Sequence, residues 1–145
     1  METALKFLKP GGRLAIVLPD SILNNPGLKF IRSWLMTRAQ VVASVDLPKE
    51  TFATSGGVPN PSLLLVKKLP VDEMKLAKVG AMDYEVFMAI PKTAGIAKRG
   101  NPLYERTPEG LEILNDKFEP KLNDEIALVS ERFGKWVKDM GYVSN

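Results

Sequence analysis

Residues Arg13 to Leu18 read RLAIVL, with Lys9-Pro10-Gly11-Gly12 before them and Pro19 after them. A short aliphatic run held between turn residues predicts a strand covered on both faces, the pattern of a parallel sheet. Pro10 and the paired glycines stop any helix entering from the N-terminal side, so Leu5, Phe7 and Leu8 are expected to be the last turns of a helix that begins further upstream. Downstream, Asp20 to Gly27 reads as a polar loop containing Asn24-Asn25-Pro26-Gly27. Over Leu28 to Arg38, Leu28, Ile31 and Leu35 recur at helical spacing beside Phe30 and Trp34, with Lys29, Arg32 and Arg38 on the other face.

Two more strands follow. Val41 to Leu47 (VVASVDL), closed by Pro48, reads as a second buried strand, and Ser62 to Val66 with Lys67 and Lys68 as a third. The connection between them, Pro48 to Pro61, exceeds the roughly two to six residues of an ordinary link, and such loops carry function more often than filler. After Leu69-Pro70 the pattern weakens, and this composition shift sets an expected division into residues 1–70 and 71–145. In the second part, Tyr84 to Ile90 is a candidate strand. Pro91 to Pro108 reads as loop with basic residues at Lys92, Lys98, Arg99 and Arg106. From Pro120 to Met140 the residues Leu122, Ile126, Val129, Phe133, Trp136, Val137 and Met140 form one stripe, predicting a long amphipathic helix closed by Gly141. A lone helix must bury that stripe, which implies a packing partner.

Composition narrows the chemistry. The chain has 145 residues, 45% hydrophobic and 26% charged, with neither Cys nor His. That mix supports a folded core. The missing residue types exclude zinc sites built on Cys or His, thiol nucleophiles, disulfides and Ser-His-Asp triads. No paired acidic motif shows metal-ligand spacing, so no metal is expected. Twenty Lys and Arg against 17 Asp and Glu give a net charge of +3, compatible with nucleic acid without requiring it. The longest apolar run, Leu14 to Leu18, is far short of the roughly 20 residues of a membrane span. No membrane association is expected, and the expected location is the cytoplasm.

Site candidates come from position in the sheet. Open α/β sheets bind ligands beyond the carboxyl ends of their strands, which nominates Pro19, Asp20 and Ser21, and then Pro48 to Gly57, as site walls. Phe52 lies in the second of these loops; it either tucks onto the sheet edge or stacks on a planar ligand such as a nucleobase. Lys98-Arg99-Gly100-Asn101-Pro102 is the densest basic turn, either a phosphate contact or a solvated loop. Neither a Gly-x-Gly-x-x-Gly nor a Walker A motif is present, and Gly11-Gly12 precedes a strand, which makes it a turn and not a phosphate cradle.

The order of these segments resembles a known family. LKFLKPGGRLAIVLPDSILNN, then a helix with IRSWL, then VVASVDLPKETFATSG and PSLLLVKK resemble the back half of the N6-adenine DNA methyltransferase domain in the M subunits of type I restriction-modification systems. Residues 5 to 68 carry the resemblance, and KRGNPLYERTPEG at 98 to 110 is similar to the segment after that domain. The resemblance implies a Rossmann-like α/β sheet of order 3-2-1-4-5-7-6. Arg13 to Leu18 would be its fifth strand, Val41 to Leu47 its sixth and Ser62 to Lys67 its antiparallel seventh, with a C-terminal helical extension. It further implies that Phe52 stacks on the flipped target adenine, since an aromatic between the sixth and seventh strands does so in related enzymes.

The family's Gly-rich S-adenosylmethionine turn and its Asn-Pro-Pro-aromatic catalytic motif lie upstream of these strands and are absent. Asn24-Asn25-Pro26 follows the wrong strand to replace the latter. The implied reading is a fragment of a site-specific DNA adenine-N6 methyltransferase, with no catalytic residue of its own. Its partners would be DNA and the specificity and restriction subunits. S-adenosylmethionine would serve the complete protein and is not expected to bind this chain alone. The alternative is a noncatalytic module that binds DNA or another subunit through the basic turn and the helical stripe.

Overall fold

The structure, a computed structural model, describes residues 1–52 and 60–142. Its elements in chain order are α1 (Glu2–Phe7), β1 (Arg13–Pro19), α2 (Ser21–Asn24), α3 (Lys29–Met36), β2 (Ala39–Asp46), β3 (Pro61–Lys68), α4 (Val71–Lys78), β4 (Phe87–Ala89) and α5 (Glu125–Asp139). Two compact units contain them: Met1–Asp46 with Pro59–Ala89, and Leu47–Val58 with Ile90–Asn145. The composition shift at residue 70 falls within the first unit, which continues through α4 and β4.

The first unit is built on a four-stranded sheet of order β1-β3-β2-β4. β3 is antiparallel to both neighbours and β4 is parallel to β2. The register pairs Ile16 with Leu64 and Leu14 with Val66 on one side, and Val66 with Val41 on the other. These side chains share one sheet face, and α1 and α3 cover it. Leu5, Leu35, Ala39, Leu64 and Val66 form the buried cluster, with Leu14, Ile16, Leu18, Leu23 and Trp34 packed against it.

β1 departs from the expectation of a strand covered on both faces. Its residues alternate between exposed and half-buried, and Val17 is 39% exposed. The helices cover the Leu14, Ile16 and Leu18 face only, and β1 is an edge strand among the described residues. An aliphatic edge of this kind is what sheets ordinarily pair or cover.

The Lys9 to Gly12 turn explains its two glycines. Gly11 sits at φ 78, in the left-handed region that suits glycine. At Gly12 an added Cβ would lie 2.8 Å from the Lys9 carbonyl oxygen. The turn then joins the ladder: Gly11 N–H donates to the Lys68 carbonyl at 2.8 Å and Lys68 N–H to the Gly12 carbonyl at 2.8 Å. The Lys68 ammonium donates to the Leu5 and Leu8 carbonyls at 2.8 and 2.6 Å, placing a cation on the carbonyl-rich end of α1.

Several boundaries moved. Asp20 to Gly27 is not all loop, because α2 and a 3-10 turn at Pro26–Leu28 occupy most of it, and α3 starts at Lys29. α4 has no buried residue and gave no apolar stripe to read; Asp72 and Glu73 in its first turn and Lys75 and Lys78 in its last suit the helix dipole. Within Tyr84 to Ile90 only Phe87–Ala89 is strand.

In the second unit, Pro91 to Pro108 is not plain loop. Three hairpin turns begin at Ala97, Thr107 and Asn115, each first residue's N–H donating to the carbonyl four positions on. The fourth positions are left-handed: Gly100 at φ 81, Gly110 at φ 90 and Phe118 at φ 61. The first two suit a turn closed by a left-handed residue. At Phe118 a bulky side chain accepts a conformation that costs about 1–2 kcal/mol. Two backbone cycles tie the hairpins together. Gly95 donates to Asn123, Asn123 to Leu103 and Leu103 back to Gly95; Glu105, Lys121 and Ile113 form a second such cycle. The final helix begins at Glu125, later than expected, because Asp124 caps it by accepting from Ile126 N–H at 2.9 Å. Gly141 at φ 68 follows its end as expected.

Candidate functional site

The carboxyl edge of the sheet gathers the polar groups of the first unit. Pro19 and Ser21 are exposed at the end of β1, and Asp20 between them is half-buried. Asp20 N–H donates to the Asn60 carbonyl at 2.8 Å, tying the end of β1 to the start of β3. The Asp20 carboxylate accepts from the Asn24 amide, and its carbonyl accepts from Leu23 and Asn24 N–H as α2 begins. Arg32 reaches back from α3 to the Ile22 and Asn25 carbonyls at 3.1 and 2.9 Å. Asn25 spends its side-chain oxygen on Gly27 N–H at 2.8 Å, which makes the Asn-Pro step turn chemistry.

At the end of β2, Asp46 accepts from the Ser62 hydroxyl at 3.4 Å. Ser62 is 1% exposed and is the buried polar side chain of the described residues. The register places it between Leu18 and Asp46. Sequence reasoning missed Asn60, Ser62 and Asp46 as a group. Their signal was faint: one polar residue at the end of VVASVD and one at the start of SLLLV.

The other candidates belong to the second unit. Phe52 ends a short 3-10 turn, Lys49–Phe52, and is half-buried. Thr51 beside it has a buried hydroxyl with no hydrogen-bond partner among the described residues. The rest of the proposed wall, Ala53 to Gly57, lies outside the described residues. Lys98 and Arg99 are exposed at the tip of the first hairpin, Arg99 at φ 74.

A cleft of about 350 Å³ lies away from the carboxyl edge, lined by Glu2, Leu5, Lys6, Trp34, Arg38, Lys68 and Met74. Arg38 stacks over the Trp34 ring at 4.7 Å. Three cations against one carboxylate make this a poor seat for S-adenosylmethionine, whose sulfonium is itself cationic. The lining of this cleft does not fit that cofactor. Among the described residues no cluster of three or more carboxylates gathers that would hold a metal ion. No described helix is long and apolar enough to cross a membrane.

Residues 1–105 match the family described as N-6 DNA Methylase. The Defense against restriction protein B of Escherichia phage P1 is 29% identical over 72 residues, which are 50% of this chain and 3% of that protein. A Listeria monocytogenes protein assigned to the class I S-adenosylmethionine-dependent methyltransferases aligns over 61% of this chain and 24% of its own, with 21% identity and a TM-score of 0.47. The chain thus spans a small part of the length of either protein.

Proposed function

The chain belongs to the N-6 DNA methylase family, and from that premise we propose that it is the back half of an adenine-N6 DNA methyltransferase domain of the type I M-subunit kind. The observation that supports this reading is the strand order. β1-β3-β2, with β3 antiparallel between two strands that run the same way, reproduces the 5-7-6 end of the methyltransferase sheet. In this reading β1 offers its free edge to a fourth strand. The chain carries the target-base side of the site, whereas the methyl donor, S-adenosylmethionine, and the amine-binding Asn-Pro-Pro motif belong to the preceding half.

The chain's own residues then have limited tasks. Phe52 stacks on the flipped adenine and recovers part of the roughly few kcal/mol spent on unstacking it. Pro19, Asp20 and Ser21 wall the site at the end of β1. Lys98 and Arg99 contact phosphate. The complete protein works in the cytoplasm with DNA and with the specificity and restriction subunits.

Determining the nucleotide sequence upstream of the Met1 codon tests the reading. An in-frame segment with a Gly-rich turn and an Asn-Pro-Pro-aromatic motif is expected; a stop codon directly followed by a native ribosome-binding site would favour the noncatalytic module. For the basic turn, replacing Lys98 and Arg99 together by Ala should reduce the slope of log affinity against log salt by about 2, near 0.9 for each lost phosphate contact. An unaltered slope returns them to solvent.

A further inference from the structure

The third hairpin turn, Asn115 to Glu119, carries a side chain that its backbone disfavours. Phe118 stands at φ 61 and is 85% exposed. The equivalent positions of the first two turns are Gly100 and Gly110, which take the left-handed conformation without strain. The turn closes without help from the ring. Asn115 N–H donates to the Glu119 carbonyl at 2.8 Å and Phe118 N–H to the Asn115 carbonyl at 2.9 Å, while the Asn115 side-chain oxygen accepts from Lys117 and Glu119 N–H at 2.9 and 3.1 Å. Leu114 and Leu122, on the strands flanking the turn, are themselves 51% and 48% exposed. A strained aromatic that faces solvent gains little from packing in its own chain, so the gain that offsets the strain lies in what the ring meets.

A seat of matching chemistry exists in the first unit. The 350 Å³ cleft has Trp34 and Met74 in its lining and sets Lys6, Arg38 and Lys68 against one carboxylate, Glu2. Phe118 is surrounded in sequence by Asp116, Lys117 and Glu119, two carboxylates against one ammonium. An aromatic anchor entering an apolar pocket, with opposite charges around it, is the usual make-up of an interface centre. Trp34 also offers a ring for Phe118 to pair with.

We propose that Phe118 anchors a contact between two copies of this chain, its ring entering the Trp34 and Met74 cleft of the second copy. Asp116 and Glu119 then come to Lys6, Arg38 and Lys68. Tip and cleft are different surfaces, so the contact is head-to-tail, and each added copy brings a further tip or cleft. The inference is independent of the role of Phe52.

Sedimentation velocity of the chain at increasing concentration tests it. The parent chain is expected to associate reversibly with a Kd of roughly 10–100 µM, in keeping with a small contact. Phe118→Gly should weaken association at least about 30-fold. Its thermal midpoint should hold or rise by about 2–4 °C, because the strain is relieved. Met74→Glu puts a carboxylate into the cleft from a helix that buries nothing, and should weaken association by a similar factor; Lys6→Glu is a second cleft variant with the same expectation. Mixing the Phe118→Gly chain with either cleft variant reunites one intact tip with one intact cleft. A 1:1 complex that grows no further, with a Kd near the parent's, is then expected. A parent chain that stays monomeric to about 500 µM, or tip and cleft variants that fail to complement each other, overturns the contact. So does a Phe118→Gly midpoint lowered by more than about 5 °C, which would return the ring to packing within its own unit.

Discussion

Replacing Phe52 by alanine in the complete methyltransferase should weaken productive DNA binding by about 1–3 kcal/mol, the usual worth of one base-aromatic stack. At about 1.4 kcal/mol per decade this is roughly 5-fold to 150-fold in kcat/KM. The loss should appear with DNA and leave the affinity for S-adenosylmethionine unchanged, because the ring meets the base and not the cofactor. Phe52→Trp or Phe52→Tyr should retain most of the activity, since either ring supplies a stacking face. Steady-state methyl transfer with the DNA concentration varied measures the effect. Undiminished transfer by the alanine variant would assign Phe52 to packing, the other reading open to a half-buried aromatic.

A larger effect on stability is expected at Leu64. It lies on the central strand β3, 3% exposed, opposite Ile16 of β1 and Ser44 of β2. It packs in the cluster that α1 and α3 close with Leu5 and Leu35. Leu64→Ala removes the buried side chain and leaves a cavity that the flanking strands cannot close without breaking their ladders, a loss of about 2–5 kcal/mol. Against a usual total of about 5–15 kcal/mol, that is a large share of the fold. The neighbouring Leu63 is only half-buried and faces the other side of the sheet, so Leu63→Ala should cost distinctly less. Urea unfolding of the two variants and the parent chain measures both. A Leu64→Ala loss below about 1 kcal/mol would mean that this face is not the core.

The strands were legible because their sequences carry the reasons for being strands. RLAIVL, VVASVDL and PSLLLVKK are apolar runs bounded by Pro and Gly, and each forms a strand within a residue or two of the expected limits. What failed depends on information a single segment does not hold. Both-face burial was inferred for β1 from its aliphatic content, yet burial depends on its neighbours, and only the face under α1 and α3 is covered. α4 escaped because it buries nothing. The second unit escaped because its two three-way cycles are backbone hydrogen bonds between residues as distant as Gly95 and Asn123, which leave no mark on side-chain pattern. Its third turn was further disguised by Phe118 at a position where the first two turns have Gly100 and Gly110.

The candidate site was legible in the same measure. Pro19, Asp20, Ser21 and Phe52 follow from where the strands end, a rule of sheet topology. Asn60 and the Ser62 to Asp46 contact do not, because they exist only once β3 is laid antiparallel between β1 and β2 in one register. The strand order that supports the functional reading was implied by the family resemblance, and the folded chain shows it over β1, β3 and β2.

In the proposed reading this chain holds one half of a methyltransferase domain and the cofactor site lies in the other half. Isothermal titration of the isolated chain with S-adenosylmethionine tests it most directly. The expected result is no heat beyond dilution; saturable binding at about one equivalent with a micromolar Kd would place a cofactor site within these 145 residues and contradict the account.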